Sequence, residues 1–325
     1  MDETLKMKNI FFLALKFNLK HTLLQFLIFF SFVLISTVYS YDLQTSQPFS
    51  QNHSSPLETQ SFKEGLPIYY WQQASFVNFG DYLSVKLVER ITGQSVKIFK
   101  KKRLNNEKKI LAIGSILVFA LNDDIIWGTG LNGKLLDKSH FNFMDLDIRA
   151  VRGPLTRQFL KDVFQIDAPE IYGDPALLVP YFFPEFKRKL NPKYEYIVIP
   201  HYSENKLFPK EQYENIVYPT DPWDEVIEKI TNSRFVISSS LHGIIVAEAF
   251  GIPARLLRVT HNEPILKYQD YYYGTNRFQF QHASSIEEAL KMGGEPPFEC
   301  DLQKLYNAFP FEYWDTSCFA TPIFE

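Results

Sequence analysis

From residue 67 onward, short apolar runs alternate with segments whose apolar positions recur at helical spacing. That alternation is the pattern of strands and helices taken in turn. Runs at 67–71, 95–99, 110–113, 125–127, 147–151 and 170–172 predict strands in a first half, and runs at 196–200, 235–237 and 255–259 in a second. Helical spacing covers 82–92, 155–163, 223–231 and 241–250. Asp81 and Asp221 stand at N-cap positions, Gly93 at a helix end and Pro154 in a first turn. Strands alternating with helices imply parallel sheets covered on both faces. The expected fold class is therefore α/β, with two Rossmann-like domains facing a cleft, over 67–180 and 181–292. A helix and tail over 293–325 follow.

The amino end has a different pattern. Residues 22–40 carry no charge and are mostly large and apolar, and Lys6, Lys8, Lys16 and Lys20 precede them. This predicts a transmembrane signal anchor at 22–40, with residues 1–21 on the cytosolic side. The Ser-, Gln- and Asn-rich segment 41–66 reads as a flexible stem. The expected location is a single-pass type II membrane protein, in the Golgi or another secretory compartment if the cell is eukaryotic. A signal peptide cut near Ser40 is the alternative, because Val38 and Ser40 are small. Asn52-His53-Ser54 fits the glycosylation sequon. Cys300 and Cys318 lack metal-ligand spacing and are either a disulfide or two bystanders.

With 325 residues, 46% hydrophobic and 22% charged, the chain is long enough for two ordinary cores. A formal net charge of -3 gives no basic field, which argues against nucleic acid as a partner, and the lysine-rich run at 100–109 reads as a solvated loop. The 30 Phe and 18 Tyr suit a ring-bearing ligand but equally serve a core.

Polar or glycine-containing turns follow the predicted strands: Asn78-Phe79-Gly80-Asp81, Gly114-Ser115, Gly128-Thr129-Gly130, 149–153, Gly173-Asp174 and 238–243. Ligands of open parallel sheets bind at these strand ends, so the turns point to one cleft. The most informative is Ser238-Ser239-Ser240-Leu241-His242-Gly243. It places His242 in a helix first turn, where unpaired N–H groups and the helix dipole favour a phosphate or carboxylate. A histidine there can also move protons near neutral pH. Arg149 and Arg152 bring fork-shaped cations to another strand end, and in an extended segment one of the two, Arg152 by its place at the turn, is expected to reach a ligand. Asp81 and Asp174 are candidate acids that also fit as helix caps, while His201 and His261 are further histidine candidates. No zinc motif, Walker loop or dinucleotide fingerprint is present, so no metal is expected.

NFGDYLS at 78–84, WGTG at 127–130, RAVRGPLTR at 149–157, YGDPALL at 172–178, SSSLHGIIVAEAFGIPA at 238–254 and KYQDYYYGTNR at 267–277 occur in this order. Together they resemble the polysaccharide pyruvyl transferases, over about residues 67–277. The resemblance implies a GT-B-like two-domain fold and transfer of the enolpyruvyl group of phosphoenolpyruvate to a glycan sugar as a ketal. Phosphoenolpyruvate would be the donor substrate, with no separate cofactor. His242 matches the family's SLHG histidine and Arg152 the arginine of its RG-P motif. Ser240 stands where some members carry Arg, so Lys267 or Arg277 would supply that charge. The expected catalytic residues are His242, Asp81 and Asp174. The expected substrate-binding residues are Arg152, Arg149, Asn78, Ser240, Gly243, His201, Lys267 and Arg277. Expected partners are phosphoenolpyruvate, a glycan acceptor and, through the anchor, a membrane. A nucleotide-sugar glycosyltransferase and a non-catalytic glycan-binding protein remain the alternative readings.

Overall fold

Two four-stranded parallel sheets, each with its strands in chain order, carry the fold. In the computed structural model residues 65–99 and 107–324 are described, all within one compact unit, Ser61–Glu325. The first half runs β1 (Ile68–Tyr69), α1 (Phe79–Thr92), β2 (Ile110–Leu111), β3 (Ile125–Trp127), β4 (Asp147–Ala150), α2 (Pro154–Phe164) and α3 (Val179–Phe182). The second runs β5 (Ile197–Ile199), α4 (Trp223–Thr231), β6 (Val236–Ser238), α5 (Leu241–Ala249), β7 (Ala254–Leu257), α6 (Leu266–Gly274), β8 (His282–Ala283), α7 (Ile286–Met292) and α8 (Leu302–Asn307). This is an α/β fold with parallel sheets, consistent with a GT-B-like two-domain arrangement.

Helix α1 begins earlier than its sequence predicts. Asn78 is extended and its Oδ1 accepts from Gly80 N at 3.0 Å, so Asn78 and not Asp81 caps the helix. Asp81 is thereby placed in the first turn. Gly93 ends α1 in the left-handed region at φ 66°, as its position in the sequence predicts. Asp221 also does not cap; Pro222 holds the N-cap position of α4, and Asp221 accepts from Tyr218 N at 3.1 Å. The strands expected at 95–99 and 170–172 shrink to single bridges, Ile98 to Ile68 and Tyr172 to Val151. Lys109, read as part of a solvated loop, is buried in an ion pair with Asp124.

Helix α5 shows what joins the halves. Every residue from Leu241 to Glu248 is buried, and a helix apolar on all sides belongs inside a core and not on a surface. Fully burying Ile244, Ile245 and Val246 stabilises the fold by roughly 1.5–3 kcal/mol each. One apolar cluster runs from Ile68 and Ile125 under the first sheet, through α5, to Ile197 and Leu256 under the second. Glu248 is the charge on this helix, and burial pushes its carboxyl upward in spite of its Arg277 partner. Arg277 grips both Glu248 oxygens at 2.8 Å, and the Tyr271 hydroxyl donates to Oε2 at 2.6 Å.

One expectation is corrected and one open alternative is decided. No helix among the described residues is long and apolar enough to cross a membrane. The segment expected to do so, 22–40, lies outside the described residues, as do 1–21 and the stem up to residue 64. The membrane anchor, the membrane as partner and the single-pass location are therefore not carried further. The disulfide is also not formed: both cysteines are free thiols, with Cys300 Sγ donating to the Tyr172 carbonyl at 3.3 Å and Cys318 exposed near the carboxyl end.

Candidate active site

The loops that leave the carboxyl ends of both sheets meet in a cleft of about 240 Å³. In open parallel sheets this is where side chains of separate strands converge on a ligand. From the first half come Trp71, Asn78, Asp81, Ser115, Phe119 and Lys134; from the second come His201, Tyr202, Ser240, His242, Glu263 and Lys267. The two faces also bond directly, since Phe79 N donates to Pro219 O at 2.8 Å.

His242 lies in the first turn of α5, and its ring packs on the backbone of α1. A Cβ on Gly80 would stand 2.1 Å from His242 Nδ1, so only glycine allows this approach. His242 Nε2 is 3.7 Å from Asp174 Oδ2, and both atoms are buried without a hydrogen-bond partner. The other Asp174 oxygen accepts from Ala176 N at 3.0 Å, which fixes the carboxylate as the cap of the turn Pro175–Leu178. Asp81 borders the same space: a Cβ on Gly114 would meet Asp81 Oδ1 at 2.8 Å and His242 Cε1 at 3.9 Å. Burial pushes the Asp81 carboxyl up from 3.8 to about 6, against the pull of His242 and Lys267 and with added repulsion from Asp174. Its proton is therefore exchangeable close to neutral pH.

Opposite this group lies a cationic one. Lys267 Nζ donates to Glu263 Oε2 and Lys134 Nζ to Glu263 Oε1, each at 2.5 Å. Burial lowers the Lys267 ammonium below its ordinary range, with Glu263 opposing. Burial would raise Glu263, but Lys267 above all, with Lys134, holds it below the usual carboxylate value. Burial and then Lys267 drive His201 down to about 3, so that ring is neutral at physiological pH. Its Nδ1 lies 2.7 Å from Ser203 Oγ. Ser240 precedes α5 without a side-chain cap bond, so the first-turn N–H groups of α5 are not closed off by their own cap. Gly243 packs against Ser238, whose Oγ accepts from Ser240 N at 3.0 Å and shapes the turn.

Of the residues singled out in the sequence, Asn78, Asp81, His201, Ser240, His242 and Lys267 line the cleft, with Gly243 and Asp174 directly behind. The arginines are elsewhere. Arg152 is fully buried beneath the cleft, donating to Asp270 Oδ2 at 3.1 Å, the Leu131 carbonyl at 2.7 Å and Ser115 Oγ at 2.6 Å. It touches the cleft only through Ser115. Arg149 pairs with Asp147 and Glu312 at the surface, and Arg277 with Glu248 in the core. His261 is exposed, 3.4 Å from Arg258. Ser115 lines the cleft from a turn expected to border it but was not named as a site residue, and Lys134, Glu263, Trp71 and Tyr202 were not expected there. Only Ser115 carried a signal, in its Gly-Ser turn after a strand. No cluster of three or more His, Cys, Asp and Glu among the described residues is placed to hold a metal ion.

The site is a cleft between parallel sheets of an α/β fold, lined by a histidine, two nearby carboxylates and a Lys–Glu–Lys group. The chain belongs to the polysaccharide pyruvyl transferase family, whose sequence model matches residues 52–261. It is 28% identical over 221 residues to an uncharacterized protein of Acanthamoeba polyphaga mimivirus, a match covering 63% of this chain and 74% of the viral protein. It is 30% identical over 216 residues to the succinoglycan biosynthesis protein ExoV of Rhizobium meliloti (strain 1021), covering 62% of this chain and 63% of ExoV. The protein is thus a pyruvyl-transferase-like enzyme at the level of its family.

Proposed function

We propose that the cleft transfers the enolpyruvyl group of phosphoenolpyruvate to two hydroxyls of a glycan sugar, giving a cyclic pyruvate ketal and inorganic phosphate. The observation that carries this reading is His242, pressed onto Gly80 between Asp81 and Asp174 and facing Lys267. Phosphoenolpyruvate brings a phosphate and a carboxylate. The start of α5, Ser240, Lys267 and Lys134 offer N–H groups and positive charge for them. Lys267 takes the place of the arginine that Ser240 replaces; Arg152 contributes through Ser115.

The reaction needs a proton at the methylene carbon and a base for the attacking hydroxyl. The carboxyl of Asp81, poised near 6, donates the proton and makes the methyl group. The carbon bearing the phosphate becomes electrophilic, and a sugar oxygen bonds to it while His242 takes the hydroxyl proton. Asp174, 3.7 Å away, holds and stabilises the charged imidazole. The carbon–oxygen bond to phosphate then breaks, and a second sugar hydroxyl attacks. Of the two hydroxyl protons, one replaces that lost from Asp81 and the other leaves with phosphate.

The test is incubation with phosphoenolpyruvate and a glycan, without any nucleotide, followed by mass spectrometry of the glycan and phosphate determination. Equal yields of ketal and phosphate from the natural chain, and neither from His242→Ala with an unchanged melting profile, support the reading. Transfer that requires a nucleotide sugar overturns it in favour of a glycosyltransferase.

A further inference from the structure

The cleft combines buried polar groups with an open aromatic cluster. His242 is 8% exposed, Asp81 9% and Lys267 6%, beside the buried apolar Ile116 and Leu241. Its more open lining holds Lys134 and Asn132 and three aromatic rings. Trp71 follows β1, Tyr202 follows β5 and Phe119 follows β2, and all three line the cleft, Phe119 with 40% of its surface free. Trp71 and Tyr202 come from different sheets, yet their ring centroids are 5.1 Å apart, and Phe76 braces both at 6.1 and 5.4 Å. The His201 and Tyr202 ring centroids are 4.4 Å apart, and His201 Nδ1 is 3.7 Å from Glu263 Oε1, so the aromatic group adjoins the Lys267–Glu263–Lys134 group. A donor with two anionic groups is served by the polar floor and has no use for exposed indole and phenyl rings. A half-buried tryptophan beside a charged cleft costs hydration unless a ligand covers it.

We propose that Trp71 and Tyr202, with Phe119 across from them, form the acceptor subsite, a platform on which a pyranose ring stacks with its hydroxyls turned toward His242. A pyranose presents C–H groups on its ring faces, and these meet the negative face of an aromatic ring favourably, while its hydroxyls stay at the rim for hydrogen bonds. Asn132, half-buried in the cleft lining, supplies an amide partner at that rim. The platform is assembled only when both sheets are in place. This assignment rests on the pyruvyl transfer reading for the identity of the acceptor, but not for the binding itself.

Two measurements separate the subsite from the reaction. In steady-state transfer, Trp71→Ala and Tyr202→Ala should raise the acceptor KM about tenfold, equivalent to about 1.4 kcal/mol, with the phosphoenolpyruvate KM changed less than about twofold. Trp71→Phe, which keeps an aromatic face, should recover most of the loss. Independently, neutral oligosaccharides should alter the tryptophan fluorescence of the natural chain, and Trp71→Phe should abolish the change while still melting normally. Parallel changes in both KM values, or an oligosaccharide signal that persists in Trp71→Phe together with an unchanged acceptor KM in Trp71→Ala, would overturn the subsite. Oligosaccharide binding through Trp71 without any transfer from phosphoenolpyruvate would leave the subsite standing and defeat the proposed reaction instead.

Discussion

Replacing Asp81 with Asn should make the protein more stable and inactive, and the gain should depend on pH in a defined direction. Asn is the shape of the protonated acid, so the change removes the carboxylate charge and little else. In the folded chain burial moves the Asp81 carboxyl from 3.8 to about 6. The folded state therefore holds a proton over a pH range in which the unfolded chain has released it, and stability falls as pH rises through that range. Below the unfolded value both states are protonated and the carboxyl contributes nothing. Above the folded value both are ionised and the full penalty, about 3 kcal/mol, is present. Relaxation and water penetration reduce it, so a gain of about 1–3 kcal/mol for Asp81→Asn at pH 8 is expected. The gain should fall to about half at pH 5 and about a fifth at pH 4. Urea unfolding at these three values measures it as a rise in midpoint with unchanged slope. A variant that is less stable at pH 8, or a gain that does not vary with pH, would refute the account. Full transfer activity in the same variant would remove Asp81 from proton transfer. A carboxyl buried so that its ionised form costs the fold stability, and so kept protonated to higher pH, belongs to the trade between activity and stability seen at functional sites.

Gly80→Ala should place a methyl group 2.1 Å from His242 Nδ1 and force the ring aside. A displacement of about 1 Å costs on the order of 100-fold in turnover, and a kcat within twofold of normal would show that the ring is not in its working position. Arg152→Met leaves Asp270 buried without its cation and should cost about 3–5 kcal/mol by urea titration; a loss under about 1 kcal/mol would mean that Thr156 alone satisfies Asp270. For the thiols, a maleimide should label exposed Cys318 in the native protein and Cys300 only after unfolding. Burial pushes the Cys300 thiol up to about 12, so rapid native labelling of Cys300, read by peptide mass, would contradict its placement.

Local spacing was enough to define the elements that build the cleft. The apolar run at 125–127 and the helical spacing at 223–231 became β3 and α4 with the bounds their patterns predict, because strands buried on both faces and amphipathic helices leave direct marks in the sequence. The turn 238–243 likewise announced a helix start, and the motifs in register announced the family. Helix α1 was misjudged at its start because Asn78 and Asp81 are both good caps by type, and only the burial of Phe79 and Gly80 against the second half decides between them. The same held more strongly for charges. Arg152, Arg277 and Lys267 read alike in the chain, yet Arg152 is claimed by Asp270, 118 positions away, and Arg277 by Glu248, 29 positions away, while Lys267 pairs with Glu263, which itself lines the cleft. Composition and spacing name the groups that can carry charge. Which of them can meet a ligand depends on where its partner sits in the packed fold, because a buried cation must be paired and only a pair that itself lines the cleft lies within reach of a ligand.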